Sequence, residues 1–285
     1  MLLIVGGSSD PNTMRVVHQA DARNVEHVFW DTDQPESRRL AWDFQSPVLD
    51  LDDCSLQPSA VFLRYNVFDG DPVQNQNTFE VIQAYALAWP QIRLLNREIC
   101  TDSNNKSRNL QLAVKAGFEI PDSLVLADLT PLSTMPDPQS RIIKPLNGGA
   151  HTKCVSEVAG NPELLADLGP HFVQEKLPGE NLRIFCIDSQ LSCFHLVTGE
   201  LDYRDDAAVE VVQIEVPEEL VAPTMRLARR VGFDYCALDF RCRQNFDAPV
   251  FLEVNSFPMF VRFDDAGQGC LSDAMLRFFA ATKSN

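Results

Sequence analysis

The sequence is short of positive charge. Its 285 residues carry 24 Lys and Arg against 40 Asp and Glu, a formal net charge of −16. A surface of that sign repels nucleic-acid phosphate and anionic lipid, so neither is expected as a partner. A local basic cleft for an anion is still compatible with it, because net charge does not describe one pocket. Also missing is any CxxC pair: the eight cysteines (54, 100, 154, 186, 193, 236, 242 and 270) are scattered, and several, such as Cys186 and Cys236, lie in apolar strand-like runs. They read as reduced and mostly buried. The five histidines show no metal-ligand spacing. No apolar run approaches transmembrane length, and MLLIVGGSSD has no basic segment ahead of its short apolar run, which reads as a first β-strand rather than a signal peptide. A cytoplasmic location is the expectation. The fingerprint GxGxxG is lacking as well, so the GGSSD turn resembles a phosphate-binding loop only faintly.

What is present is ordinary globular composition, 45% hydrophobic and 22% charged, in a chain long enough for two or three sub-domains. The first hundred residues alternate. LLIV, VEHVFWD, AVFLRYN (60–66) and RLLN (93–96) read as strands, with helices expected over 12–22 and 78–89. That alternation predicts a parallel sheet covered by helices. A helix is expected from residue 103, capped by Ser103 or an Asn and ended by Gly117. After it come a strand in IPDSLVL, a hairpin-like RIIKPLNGGAHTKCV, and two strands in HFVQEKLPGENLRIFCID joined at Pro178-Gly179. LSCFHLV is another strand, residues 218 to 232 a helix, and YCALDFRC and PVFLEVN a strand pair. The Pro-rich TPLSTMPDP reads as a surface loop.

That last pair carries the chemistry. Glu253 and Asn255 interrupt an apolar strand two residues apart, on one face. Asp239 and Glu253 each lie seven residues from Phe246, so a symmetric hairpin centred there sets them opposite each other. Opposed carboxylates destabilise a sheet unless a cation lies between them. Ligands made only of oxygen suit Mg²⁺ rather than zinc. The alternative is the solvated face of an antiparallel sheet. Lys144 ends the strand RIIK and is either exposed or aimed at an anion. Lys106 lies in a first helical turn, where the dipole disfavours a cation unless phosphate shares the space.

In the order NKSRNLQLAVKAGFEIP, IIKPLNGG, FVQEKLPGENLRIF, DYR, ALDF and FLEVNS, residues 95 to 260 resemble the ATP-grasp superfamily. By pattern they are similar to ribosomal-protein glutamate ligases, glutathione-synthetase-like enzymes and peptide-crosslinking ligases of the microviridin type. The resemblance implies an α/β (α+β ATP-grasp) fold: an N-terminal parallel α/β domain over 1–98, then two α+β sub-domains gripping ATP over 99–173 and 174–285. It implies Mg²⁺, two ions with Mn²⁺ able to substitute, on Asp239, Glu253 and Asn255. Lys106 and Lys144 would contact phosphates, and Gly148-Gly149 would belong to a mobile lid running to Thr152. The hinge Gln174, Glu175, Lys176 and Leu177 would face adenine, with Asn181 at the ribose. Arg183 and Arg204 would steady the transferring phosphoryl group or an acyl phosphate. Such enzymes phosphorylate a carboxylate, and an amine or hydroxyl then displaces phosphate.

Departures from the family bear on substrate. Lys176 replaces a common aromatic residue, and the run after Asn255 is Ser256, Phe257, Pro258, Met259, Phe260 instead of small residues. Those bulky residues are either an apolar wall at the acceptor mouth or packing beneath the sheet. Arg64 and Tyr65 either reach the cleft from the first domain or are exposed. With no evident peptide-docking insertion, the expectation is a small carboxylate and amine, such as an amino acid, with a ribosomal peptide or protein as the alternative. A homo-oligomer is compatible. A non-catalytic nucleotide-binding regulator and a kinase that stops at the phosphorylated product are the competing classes.

Overall fold

The computed structural model describes residues 1–33, 39–97, 104–146, 152–161, 165, 169–198 and 209–281. The chain begins with β1 (Leu2–Gly6), α1 (Pro11–Ala22) and β2 (His27–Asp31). A small antiparallel meander follows, β3 (Leu40–Trp42), β4 (Leu49–Leu51) and β5 (Cys54–Leu56), and then β6 (Ala60–Leu63), α2 (Pro72–Ala88) and β7 (Arg93–Leu95). The strands β2, β1, β6 and β7 lie in that order and are all parallel, as the alternation predicts. Both helices start on an aspartate cap followed by proline: Asp10 accepts from the Asn12 N–H, and Asp71 from that of Gln74. α2 therefore opens a turn and a half before the periodic stretch that predicts it, because VQNQN has no apolar rhythm and only the Asp-Pro start marks it. The meander went unpredicted; its strands of three residues are too short for alternation to register.

The GGSSD turn is not an anion site. The Ser8 N–H donates to Asp31 Oδ1 at 2.9 Å and the Ser8 hydroxyl to Asp33 Oδ2 at 3.0 Å; Ser9 also donates to Asp33. Two carboxylates take the donors a phosphate would need.

The middle of the chain holds α3 (Lys106–Ala116), capped by Asn105 and ended by Gly117 with φ 99°. β8 (Ser123–Leu126), β9 (Arg141–Pro145), β10 (Lys153–Cys154), α4 (Val155–Val158) and β11 (His171–Glu175) follow, and their strands form an antiparallel sheet in the order β10-β9-β11-β8. The predicted hairpin is there, with Lys153 opposite Ile143. The Pro-rich loop winds into two 3₁₀ turns, Thr130–Thr134 and Pro138–Ser140.

The last part comprises β12 (Asn181–Ile187), β13 (Gln190–Val197), β14 (Glu210–Ile214), α5 (Glu218–Val231), β15 (Tyr235–Gln244), β16 (Asp247–Asn255), α6 (Val261–Ala266) and α7 (Cys270–Ala280). Its antiparallel sheet runs β14-β13-β12-β15-β16 and is apolar on both faces. Ile184, Cys186, Leu238 and Phe240 pack with Leu110 and Ala113 of α3 and Leu227 of α5. On the opposite face Phe185, Phe194, Tyr235 and Ala237 share a core with Ile4 and Phe62 of the parallel sheet, Val16 of α1 and Met275 of α7. That second core ties the parallel sheet to the strands that carry the polar row described next. β14, α6 and α7 had no counterpart in the sequence reading. No helix among the described residues is long and apolar enough to cross a membrane.

Candidate active site

Between β15 and β16 the chain reverses at Asn245-Phe246, where Gln244 pairs with Asp247. From there to the Phe240–Phe251 pair the ladder is regular. The register then shifts, and Asp239 meets Glu253 while Ala237 meets Asn255. Leu252 is the extra residue of a β-bulge. A regular ladder from this turn would set Leu252 opposite Asp239 and send Glu253 to the other face. The predicted facing of the two carboxylates is therefore present, and the bulge produces it.

Arg183 of β12 stands opposite Asp239 on the other side, so Arg183, Asp239 and Glu253 form one row across three strands. The guanidinium grips the aspartate with both edges, Nε to Oδ1 at 2.6 Å and Nη2 to Oδ2 at 2.9 Å. Their side chains are only 8% and 15% exposed. Lys106, at the first position of α3, brings Nζ to 3.2 Å from Glu253 Oε2, which offsets the unfavourable helix dipole there. The Asn255 amide donates to Asp239 Oδ2 and to Glu253 Oε1, each at 3.3 Å. Burial pushes the Asp239 carboxyl up, Arg183 pulls against it, and the charge on Glu253 adds to the rise. Burial would raise Glu253 too, but Lys106 and Lys144 outweigh it and hold its carboxyl at about 2. Lys144, from β9, thus acts on both carboxylates. The resemblance assigned Arg183 to the phosphoryl group; here its guanidinium is the partner of the expected metal ligand.

The hinge residues lie where β11 runs into β12. Gln174, 1% exposed, donates to Ser123 Oγ at 2.7 Å, and its Oε1 meets no partner among the described residues. Glu175 is held by Arg243, whose Nη1 is 2.8 Å and Nη2 3.0 Å from its oxygens, and by the Asp122 N–H. Arg243 also grips Glu119, with Nε 3.0 Å from Oε1. Lys176 is exposed, with its N–H on the Ser140 carbonyl at 2.8 Å, Leu177 is buried, and Asn181 is half-buried opposite Arg241. A Cβ on Gly179 would come within 2.5 Å of the Cys242 carbonyl oxygen, the group its own N–H bonds, so only glycine fits this crossing. Gly148, Gly149 and Arg204 lie outside the described residues, as does Ser103.

The run after Asn255 is clamped by residues at the carboxyl ends of the parallel strands. Arg64 is 6% exposed and ion-paired with the fully buried Asp10; its Nη1 lies 3.5 Å from the carbonyl oxygens of both Phe257 and Pro258. Asn96, 1% exposed, bonds both the N–H and the carbonyl of Tyr235, each at 2.6 Å, and also donates to the Ser256 carbonyl. The Ser256 side chain is fully buried and its N–H donates to Asn104 Oδ1 at 3.3 Å. The Tyr235 hydroxyl donates to the Pro258 carbonyl at 3.0 Å, and the Phe260 N–H donates to Asn12 Oδ1 at 2.7 Å. Phe260 is wholly in the core. Phe257 is half-buried and edge-on to Phe79, which is edge-on to Tyr65, with ring centroids 6.1 Å apart in each case. Asn96, Asp10, Asn12 and Arg243 escaped the sequence reading. For Asn96 the signal existed: like Asn255, it is an amide closing an apolar strand.

No family model matches the chain, and no curated relative does. Solved structures do match. PsnB, an ATP-grasp ligase complexed with a minimal precursor, is 25% identical over 97% of this chain and 98% of its own, with a TM-score of 0.75. The same ligase with a phosphomimetic variant of its precursor, Mg and ADP gives 25% identity, 98% of each chain and a TM-score of 0.78. A Chryseobacterium gregarium RiPP-associated ATP-grasp ligase, in complex with ADP and a leader and core peptide, is 18% identical over 100% of this chain and 98% of its own, with a TM-score of 0.80.

Proposed function

We propose, on the premise that this chain is an ATP-grasp ligase, that it uses MgATP to activate a carboxylate of a peptide and joins it to an amine or hydroxyl. The observation that carries this reading is the row of Arg183, Asp239 and Glu253 with Asn255, Lys106 and Lys144 around it. Two opposed carboxylates and an amide are an all-oxygen donor set that suits Mg²⁺, and the cations crowding them in its place are consistent with a site built for positive charge. Bound on Asp239, Glu253 and Asn255, Mg²⁺ would neutralise charge on the phosphates of ATP. Lys106 and Lys144, at present turned to the carboxylates, are the donors for phosphate oxygens. Arg183 holds Asp239 in place through two parallel bonds, which fixes the carboxylate's orientation.

The reaction balances without a protein nucleophile. A substrate carboxylate oxygen attacks the terminal phosphorus and ADP leaves. The amine or hydroxyl then attacks the acyl carbon and loses its proton, the bond between that carbon and the bridging oxygen breaks, and phosphate departs carrying the bridging oxygen. The protein positions and neutralises, which is what phosphoryl transfer asks of it.

A peptide replaces the free amino acid of the sequence-based expectation. That expectation rested on the lack of a docking insertion, and PsnB, bound to its precursor, matches this chain over 98% of its own length. A peptide therefore needs no added segment. The test is ADP and phosphate release from MgATP with a library of peptides containing Asp or Glu together with Lys, Ser or Thr, read by mass spectrometry for loss of water. Glu253→Gln is the control. Turnover with free amino acids but with no peptide would restore the small-molecule reading. ADP release independent of any amine or hydroxyl would indicate a kinase.

A further inference from the structure

At the carboxyl edge of the parallel sheet, between the end of β2 and the first turns of α2, lies a cavity of about 190 Å³ walled by Trp30, Asp31, Gln74, Asn75, Asn77 and Thr78. A single water needs only about 10–15 Å³, so the space fits a small organic group. It lies beyond the carboxyl end of β2, the edge strand of the parallel sheet, and α2, which follows β6, supplies its other side. One ring contact joins the helix that lines it to the segment after Asn255. Phe79, next to Thr78, packs edge-on against Phe257, two residues after Asn255.

Two polar groups of the wall lack a partner. Trp30 is 5% exposed, and its indole N–H meets no acceptor among the described residues. A buried donor left so carries its desolvation cost without return, and such a group calls for an explanation. Asp31, 9% exposed, uses one oxygen twice: Oδ1 accepts from the N–H of Ser8 at 2.9 Å and from that of Asp33 at 3.0 Å. Its Oδ2 accepts nothing from the described residues. The neighbouring Asp33 offers no such vacancy, since Ser8, Ser9 and Asn66 all donate to it.

Trp30 and Asp31, consecutive residues at the end of β2 that both line the cavity, thus bring to it a buried donor without an acceptor and a carboxylate with one oxygen unused by the described residues. An ammonium would answer Asp31 alone. A carboxylate would answer Trp30 alone and be repelled by Asp31. A primary carboxamide answers both, with its NH₂ on Asp31 Oδ2 and its carbonyl on the indole N–H. The exposed amides of Gln74 and Asn77 at the rim add matching polar groups. We infer that this cavity is a subsite for a carboxamide side chain, Asn or Gln, of the substrate. As a substrate subsite it rests on the peptide-ligase reading above; as a carboxamide site it does not.

The test uses no turnover, so its outcome is separate from that of the ligase assay. The chain has 3 tryptophans, and ¹⁵N-indole labelling of the whole protein gives one N–H signal for each, with Trp30→Phe assigning that of Trp30. N-acetylglutamine methylamide should shift the Trp30 signal saturably in the millimolar range and leave the other two in place. Asn77→Phe, from an exposed rim position, should reduce that response at least about fivefold, and Gln74→Leu is a second rim variant should the first perturb α2. An equal or larger response to N-acetyllysine methylamide would overturn the assignment in favour of an ammonium. A larger response to N-acetylglutamate methylamide, or none to any of the three, would overturn it as well.

Discussion

Asp239 and Glu253 face each other because β16 carries one residue more than β15 between their turn and this pair, and that residue is Leu252. The bulge does two things at once. It keeps Phe251 and Val254 on the face packed with α3 and α5, and it turns Glu253 away from that face toward Lys106.

Glu253→Gln should abolish ligation and spare the fold. The side chain is 27% exposed at the edge of the row, and glutamine keeps its shape. We expect turnover to fall at least about 100-fold, the scale of losing one charge-stabilising group at a reacting centre, with ATP binding retained by equilibrium dialysis. Full activity in this variant would remove Glu253 from the machinery.

Asp239→Asn should be the more destabilising of the two. It takes the countercharge away from the Arg183 guanidinium, which is 8% exposed. Breaking a buried pair on one side costs about 3–5 kcal/mol, to be read from urea unfolding against wild type and Glu253→Gln. Equal midpoints for the two variants would contradict this ranking.

Arg64→Met should destabilise by a similar amount, about 3–5 kcal/mol, because Asp10 is left charged and fully buried. The double variant Asp10→Asn with Arg64→Met should recover much of the loss, since the cost lies in the stranded charge. A strictly additive double variant would mean that the pair does not couple.

Asn96→Ala strips partners from the Tyr235 N–H, the Tyr235 carbonyl and the Ser256 carbonyl. Each unmet buried group costs about 1–3 kcal/mol. Because Ser256 follows Asn255 directly, the Mg²⁺ concentration giving half-maximal turnover should rise severalfold as well. A loss of stability with unchanged Mg²⁺ dependence would confine Asn96 to structure.

The Glu175 carboxyl is held below the usual range, chiefly by its hydrogen bonds from Arg243 and against the effect of burial. A folded-state value below the unfolded one contributes stability above the ordinary glutamate pKa, about 4.3, and that contribution disappears as pH falls through the lower folded value. The stability gap between wild type and Glu175→Gln should thus be widest at neutral pH and close as acidification passes below the lowered folded-state value. Urea titrations of both proteins across that range would show it, and a gap independent of pH would contradict it.

How much of this was legible depends on range. RLLN and FLEVN each show an amide closing an apolar strand, but only Asn255 has a carboxylate, Glu253, two residues before it to mark a polar face. Arg243 looked like any arginine in a strand; nothing near it in sequence indicates Glu175, 68 residues away. Phe260 could have been wall or core by composition, and its position under Tyr235, with ring centroids 6.3 Å apart, settles it.

By itself the sequence determined what local chemistry can impose. Alternating strands and helices gave the parallel sheet, Gly117 and Gly232 ended helices in the left-handed region with φ 99° and 75°, and polar residues two apart in an apolar strand marked a working face. The tertiary structure alone decided the register shift at Leu252, the seating of Arg183 on Asp239 across 56 residues, and the cavity beside Trp30. Backbone preferences act over a few residues, whereas a bulge, a buried ion pair and a void are set by which strands become neighbours and how their side chains fill the space between.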